Sequence, residues 1–237
     1  MQQILYAVFL ILFISTFSCG NKQERDPEGM IVYQENQTTW IRNFEPLNPV
    51  SISRWPTRGG IYESLFLNNP ITTDWTPWLA TGYEWRNNNK KLLFNIRSGV
   101  EWSDGKPFSA HDVAYTFNLM KKFPALDSRN SWGFLKSVIA ISNTVIEVDF
   151  KRVYVPGFEA IAGAPIIPKH IWSKVEDPLD FSNPNPVGTG PYTEVLRFNS
   201  QIWELGKNPN YWQPGKPHVE KLIFPTFSTN EQTTLAL

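Results

Sequence analysis

The stretch Trp102-Ser103-Asp104-Gly105-Lys106-Pro107-Phe108-Ser109-Ala110-His111-Asp112-Val113 leaves the backbone few choices. Asp104-Gly105 is a reversal signal, because Gly accepts positive φ and Asp hydrogen-bonds its own backbone. Pro107 fixes φ just ahead of a helix start. Ser109 is suited to the N-cap, and Asp112 three residues on completes an acidic version of the capping box. Behind the cap, Ala110, Val113, Ala114, Phe117 and Met120 repeat at helical spacing, and Lys121-Lys122 suit the negative end of the helix dipole. Pro124 ends the helix. The block predicts a strand, a turn and a capped helix, and none of its residues has to be chemical.

The flanking sequence alternates with period two. Tyr83 and Trp85 alternate with Glu84 and Arg86, Asn87-Asn88-Asn89 turns the chain, and Leu92, Phe94 and Ile96 alternate on the return. That pattern predicts a hairpin with one buried face. Val138 to Ile141, a turn at Asn143-Thr144, and Ile146, Val148 and Phe150 predict a second hairpin. Nineteen prolines call for many turns and exclude a helical bundle. Lys plus Arg equals Asp plus Glu at 22 each, so there is no basic stripe for a nucleic acid. The ten Trp residues either fill a core or line a site with rigid contact area, and both readings stay open.

Residues Ile4 to Ile14 form an apolar run followed by Ser15-Thr16-Phe17-Ser18-Cys19-Gly20. The run is too short to span a bilayer and sits where a secretory signal has its apolar segment. Small residues precede Cys19, the only cysteine, which therefore has no partner for an internal disulfide. The pattern predicts a lipoprotein signal over residues 1–19 with Cys19 lipidated; the alternative is an ordinary signal peptide with an incidental cysteine. Acyl chains supply about 0.8 kcal/mol per buried methylene, enough in combination to hold a protein on a membrane. Residues 20–29 read as a flexible tether, and Met30-Ile31-Val32-Tyr33 as the first strand of the folded part.

The motif W-S-D-G-x-P-F-x-A-x-D-V of Trp102–Val113 resembles the signature of the family 5 extracytoplasmic solute-binding proteins, the receptors of ABC-type importers for peptides, nickel and oligosaccharides. Further elements resemble the family in order along residues 30–237. They are Phe44-Glu45-Pro46-Leu47-Asn48-Pro49 after the first strand, Ile61-Tyr62-Glu63-Ser64-Leu65-Phe66 as a helix beside that loop, and Thr76-Pro77-Trp78-Leu79-Ala80. Ile167-Pro168-Lys169-His170-Ile171-Trp172, Pro186-Val187-Gly188-Thr189-Gly190-Pro191-Tyr192 and Asn208-Pro209-Asn210-Tyr211-Trp212 follow. Pro217-His218-Val219-Glu220-Lys221-Leu222 carries Glu220 where the family pattern has Asp.

The resemblance implies a mixed α/β (α+β) chain: a periplasmic-binding-protein-like type II lobe with an inserted α+β subdomain. Residues 30–49 and 156–237 are expected in the main lobe and 50–155 in the insertion. It also implies a monomeric binding protein rather than an enzyme, without cofactor, lipid-anchored at a bacterial membrane and serving an ABC permease. The last residues, Thr229 onward, begin a helix without a C-cap, and family members are about twice as long. The second lobe of the clamp is therefore expected to be missing. Driving a clamp from 99:1 open to 1:99 takes about 5.5 kcal/mol of differential binding, against about 8 kcal/mol in total for a micromolar ligand. A single lobe is accordingly expected to bind weakly.

Oligopeptide and cello- or xylo-oligosaccharide stand near parity as ligands, with Trp40, Trp55, Trp75 and Trp78 favouring sugar stacking. The residues carried over by position as ligand-binding are Trp40, Asn43, Phe44, Trp55 and Tyr62, the rings as stacking platforms and Asn43 as a hydrogen-bonding partner. Trp75 and Trp78 are expected to pack under a loop. His111, His170 and His218 are scattered, with no metal-site spacing, and no P-loop or dinucleotide fingerprint is present. The rival readings are an exported carbohydrate-active enzyme, which needs a paired acid and base, and a carbohydrate-binding surface lipoprotein.

Overall fold

The computed structural model describes residues 29–32, 38–47, 56–227 and 229 of the chain. Cys19, the leader, most of the tether, Tyr33, Trp55 and the helix expected after Thr229 lie outside the described residues. In chain order the strands are β1 Gly29–Ile31, β2 Phe66–Asn68, β3 Trp75–Pro77, β4 Ala80–Arg86, β5 Lys91–Ile96, β6 Leu135–Ala140, β7 Val145–Phe150, β8 Tyr192–Phe198, β9 Ile202–Lys207 and β10 Lys221–Pro225. The helices are α1 Ala110–Lys122, α2 Gly157–Ala162 and α3 Lys169–Trp172. Gly29, expected in the tether, already belongs to β1.

Two four-stranded sheets carry the fold. One has the order β4-β5-β7-β6 and the other β1-β10-β9-β8, with β2 and β3 as a separate pair. The first contains both expected hairpins, all its neighbours antiparallel. Asn87, Asn88 and Asn89 each take positive φ in the turn, the conformation Asn tolerates best after Gly. Leu92, Phe94 and Ile96 turn inward as the alternation requires. Helix α1 packs on β6 and β7 and starts as expected: Ser109 accepts from the His111 backbone, and Asp112 Oδ2 accepts from Ser109 N at 2.9 Å. Gly105 takes φ +79°.

The second sheet is non-local. β8 and β9 form a hairpin, β9 pairs antiparallel with β10, and β10 takes β1 as a parallel neighbour from the far end of the chain. Trp203 stacks on Phe224 across it at 4.1 Å.

Between the sheets runs a ribbon over residues 60–65. Residues 61–66 were expected to be helical; instead Gly60 and Ile61 lie in a turn, Tyr62 makes an isolated bridge with Arg58, and Phe66 opens β2. The ribbon's carbonyls are taken by distant donors: Gly60 O by Tyr192 N, Ile61 O by Gly190 N, Glu63 O by Ile166 N, Ser64 O by Leu79 N, and Leu65 O by both Trp78 N and Ala80 N. A helix would need those same carbonyls for its own i+4 amides, so tertiary pairing overrides local preference. Gly188 and Gly190 make the approach possible. A Cβ on either would lie 2.0 or 2.1 Å from the Ile61 or Gly60 carbonyl oxygen.

Candidate functional site

Loops at strand ends are where a fold gathers binding groups, so the loop following β1 is the place to begin. Residues 40–47 are lashed to residues 182–185. Phe44 N donates to Ser182 O at 2.9 Å, Arg42 Nε to Pro184 O at 2.8 Å, and Asn183 Nδ2 to Phe44 O at 3.0 Å. Asn183 is buried, at positive φ, and also donates to the Tyr62 hydroxyl at 2.6 Å. One amide thus joins the loop to the ribbon, and burial raises the Tyr62 phenol well above its ordinary range.

This arrangement corrects the expected roles of the rings. Trp40 is 8% exposed, Phe44 2% and Tyr62 1%. Trp40 meets Trp203 and Phe224 edge-on, and Phe44 packs on Phe198 and Trp203. Their faces are committed to the core, because the distant pairing of the 60–65 ribbon and the closing of the second sheet draw them inward. Asn43 is half-buried, and its Oδ1 accepts from Glu45 N at 3.0 Å, so it holds the turn of its own loop. Trp75 packs edge-on against Phe158, and Trp78 is half-buried.

The loop's outer end does reach a pocket. Leu47 lines a recess of about 70 Å³ with Arg58, Asp127, Arg129, Ser131 and Gly163 among its walls. The recess admits a functional group and not a whole oligomer, so it suits one wall of a larger site. Two arginines converge on it. Arg58 Nε donates to Pro46 O at 2.6 Å and Arg129 NH1 to Glu159 O at 2.8 Å, and neither side chain is in an ion pair among the described residues. Burial, opposed by the Glu45 carboxylate and aided by the Arg129 charge, lowers the Arg58 pKa. Spare guanidinium donors at such a wall suit a carboxylate. Arg58 and Arg129 sit in Gly- and Ser-rich turns with no periodicity, and were not anticipated.

Glu63 was also missed. It is 1% exposed and accepts Trp78 Nε1 at 2.6 Å, Trp212 Nε1 at 3.0 Å and the Tyr211 hydroxyl at 3.2 Å. Burial pushes its carboxyl up to about 7, against the opposing pull of these donors and of Thr189. The available signal was a lone carboxylate in the largely apolar run Ile61–Phe66, since a buried charge needs partners. No group of three or more His, Cys, Asp or Glu residues suited to a metal occurs among the described residues.

With that geometry in place, the comparisons with known proteins carry weight. A family model for the bacterial extracellular solute-binding proteins, family 5, matches residues 74–237, more than half of the chain. The chain belongs to this family. Among curated relatives, the nickel-binding periplasmic protein of Escherichia coli is 27% identical over 205 residues, covering 80% of this chain and 37% of its own length. A peptidoglycan-binding protein of Agrobacterium fabrum is 30% identical over 199 residues, covering 74% and 31%. The solved structure of a periplasmic oligopeptide-binding protein of Thermotoga maritima with mannohexaose bound superposes with a TM-score of 0.77 at 28% identity, covering 87% of this chain and 40% of that one. The family 5 chain described here therefore spans well under half the length of these relatives. Its fold is the mixed α/β, type II periplasmic-binding-protein-like lobe with an inserted α+β subdomain, as expected.

Proposed function

We propose that this chain is the solute-capturing part of an ABC-type importer, exported from the cytoplasm and handing oligopeptides or cello- and xylo-oligosaccharides to a membrane permease. The observation that carries this reading is family membership over residues 74–237 together with the fold shared with the Thermotoga oligopeptide-binding protein. Residues 30–49 and 156–237 form the main lobe and 50–155 the insertion, a division supported by the two sheets falling on either side of it. Cys19 carries the lipid that keeps the protein, a monomer, at the outer face of the membrane. The role is binding rather than catalysis, in keeping with the solute-binding relatives.

Ligand enters beside the loop after β1, where Asn43 and Trp55 remain the contacts carried over from the family pattern. Arg58 and Arg129 receive a carboxylate there, which favours a peptide. The oligosaccharide reading rests on the mannohexaose bound by the Thermotoga relative.

A thermal-shift screen of the full-length protein against tripeptides and cello-oligosaccharides is the test. Tripeptides should raise Tm, and Arg129→Gln should abolish that rise. Stabilisation by neither class refutes both readings. Stabilisation by sugars that Arg129→Gln leaves intact refutes the peptide assignment.

A further inference from the structure

A second concavity shares no lining residue with the Arg58–Arg129 recess. It is a depression of about 570 Å³ lined by Pro77, Trp78, Arg97–Val100, Trp212–Pro214 and Lys216. Three sequence-distant stretches build it, the end of β3, the exit from β5 and the loop before β10, and a fourth fixes them from behind. Glu63 holds the two indoles by their N–H groups, one on each carboxylate oxygen. The rings stand at 5.3 Å and 82° to each other. Arg97 completes the frame: its guanidinium lies 4.6 Å from the Trp212 ring centre, and its Nε donates to Trp78 O at 2.7 Å.

The frame leaves charge unused. Among the described residues the NH1 and NH2 groups of Arg97 have no hydrogen-bond partner, and the exposed Lys216 has no ion pair. No carboxylate lines the depression; Glu63 lies behind the indoles with its oxygens already bonded to them and to Tyr211. The remaining walls are Pro77, Trp78, Val100, Trp212 and Pro214, which offer apolar surface, with Ser98, Gly99 and Gln213 between them. Its volume falls within the range of small-molecule sites. A guanidinium fork fixed at Nε and stacked on an indole has lost most of its rotamer freedom beforehand, so little is left to lose on binding.

We propose that this depression binds a small organic carboxylate, its anionic end on Arg97 and Lys216 and its apolar body against Trp78 and Trp212. Glu63 is the positioning residue, acting through the indoles without touching ligand. An organic anion is favoured over inorganic phosphate because the walls offer apolar surface that a bare oxyanion leaves unused. This site goes beyond the importer reading and stands on different residues.

The test is a nitrogen–proton correlation spectrum of the full-length protein during titration with benzoate, with benzyl alcohol and inorganic phosphate as comparison arms. Benzoate should shift the indole N–H signals of Trp78 and Trp212 saturably, with at least a threefold weaker Kd in Lys216→Glu, an exposed position that should not disturb folding. Arg97→Gln should remove saturation, and Arg129→Gln should leave it intact. Equal shifts by benzyl alcohol, equal saturation by phosphate, no saturation at all, or an unchanged Kd in Lys216→Glu would each overturn the proposal. Loss of saturation in Arg129→Gln would instead assign the effect to the first recess.

Discussion

The sheet of β4, β5, β7 and β6 is made from two hairpins lying between Ala80 and Phe150, each closed by its own turn. The sheet of β1, β10, β9 and β8 depends on a parallel pair that joins Gly29–Ile31 to residues 221–223. Short closures make the first sheet largely a local product, whereas the second needs the whole intervening chain in place before β1 can dock. The 60–65 ribbon mediates between them, giving carbonyls to the 78–80 stretch on one side and to residues 190 and 192 on the other. Local turns suffice for one half, and close backbone approach is required for the other.

The hardest way to break that contrast is Gly188→Ala. Its new Cβ would sit 2.0 Å from a backbone oxygen, which no side-chain rotation relieves. We expect a loss of more than about 5 kcal/mol, in the range reserved for disrupted cores. A melting temperature within about 4 °C of the parent would show that the ribbon and the Gly188 loop can separate cheaply. Next comes Phe94→Ala on the hairpin sheet, at a fully buried position, expected to cost about 3–5 kcal/mol. Hydrogen exchange sharpens the comparison: amides of β4–β7 should exchange faster while those of β8–β10 keep their protection. Uniform loss of protection would mean that the sheets unfold as one unit.

Glu63→Gln probes the junction through pH. The folded carboxyl titrates near 7 against an ordinary 4.5, chiefly through desolvation, so the folded chain holds this proton more tightly than the unfolded one. Its stabilising contribution is therefore full below about pH 4.5 and is lost as pH rises through 7, by about 3 kcal/mol. Urea unfolding at a series of pH values should show this decline in the parent and not in Glu63→Gln. Matching slopes in both proteins would remove Glu63 as the source. The smallest effect belongs to Ser109→Ala, where loss of the α1 cap should cost about 1 kcal/mol and lower Tm by about 2–4 °C.

What could be read in advance follows the same division. The α1 capping box, the Asn87–Asn89 turn and both hairpins of the first sheet were legible because each is decided by residues a few positions apart. Segment 61–66 was misread as helix because the donors that take its carbonyls are contributed by residues 78–80, 166 and 190–192. For Trp40, Phe44 and Tyr62, expected as ligand contacts, nothing local says whether a ring faces ligand or core. Asn183, more than a hundred residues away, ties Tyr62 to the Phe44 carbonyl inside the core.

By itself the sequence determined the family signature, the capped helix and the hairpins, since these are written in short-range spacing and backbone conformation. Only the tertiary structure decided that Arg58 meets Arg129 and that Glu63 gathers Trp78, Tyr211 and Trp212. Charged and aromatic side chains distant in sequence acquire a role only when folding removes the water between them, and that depends on how both sheets close around the ribbon.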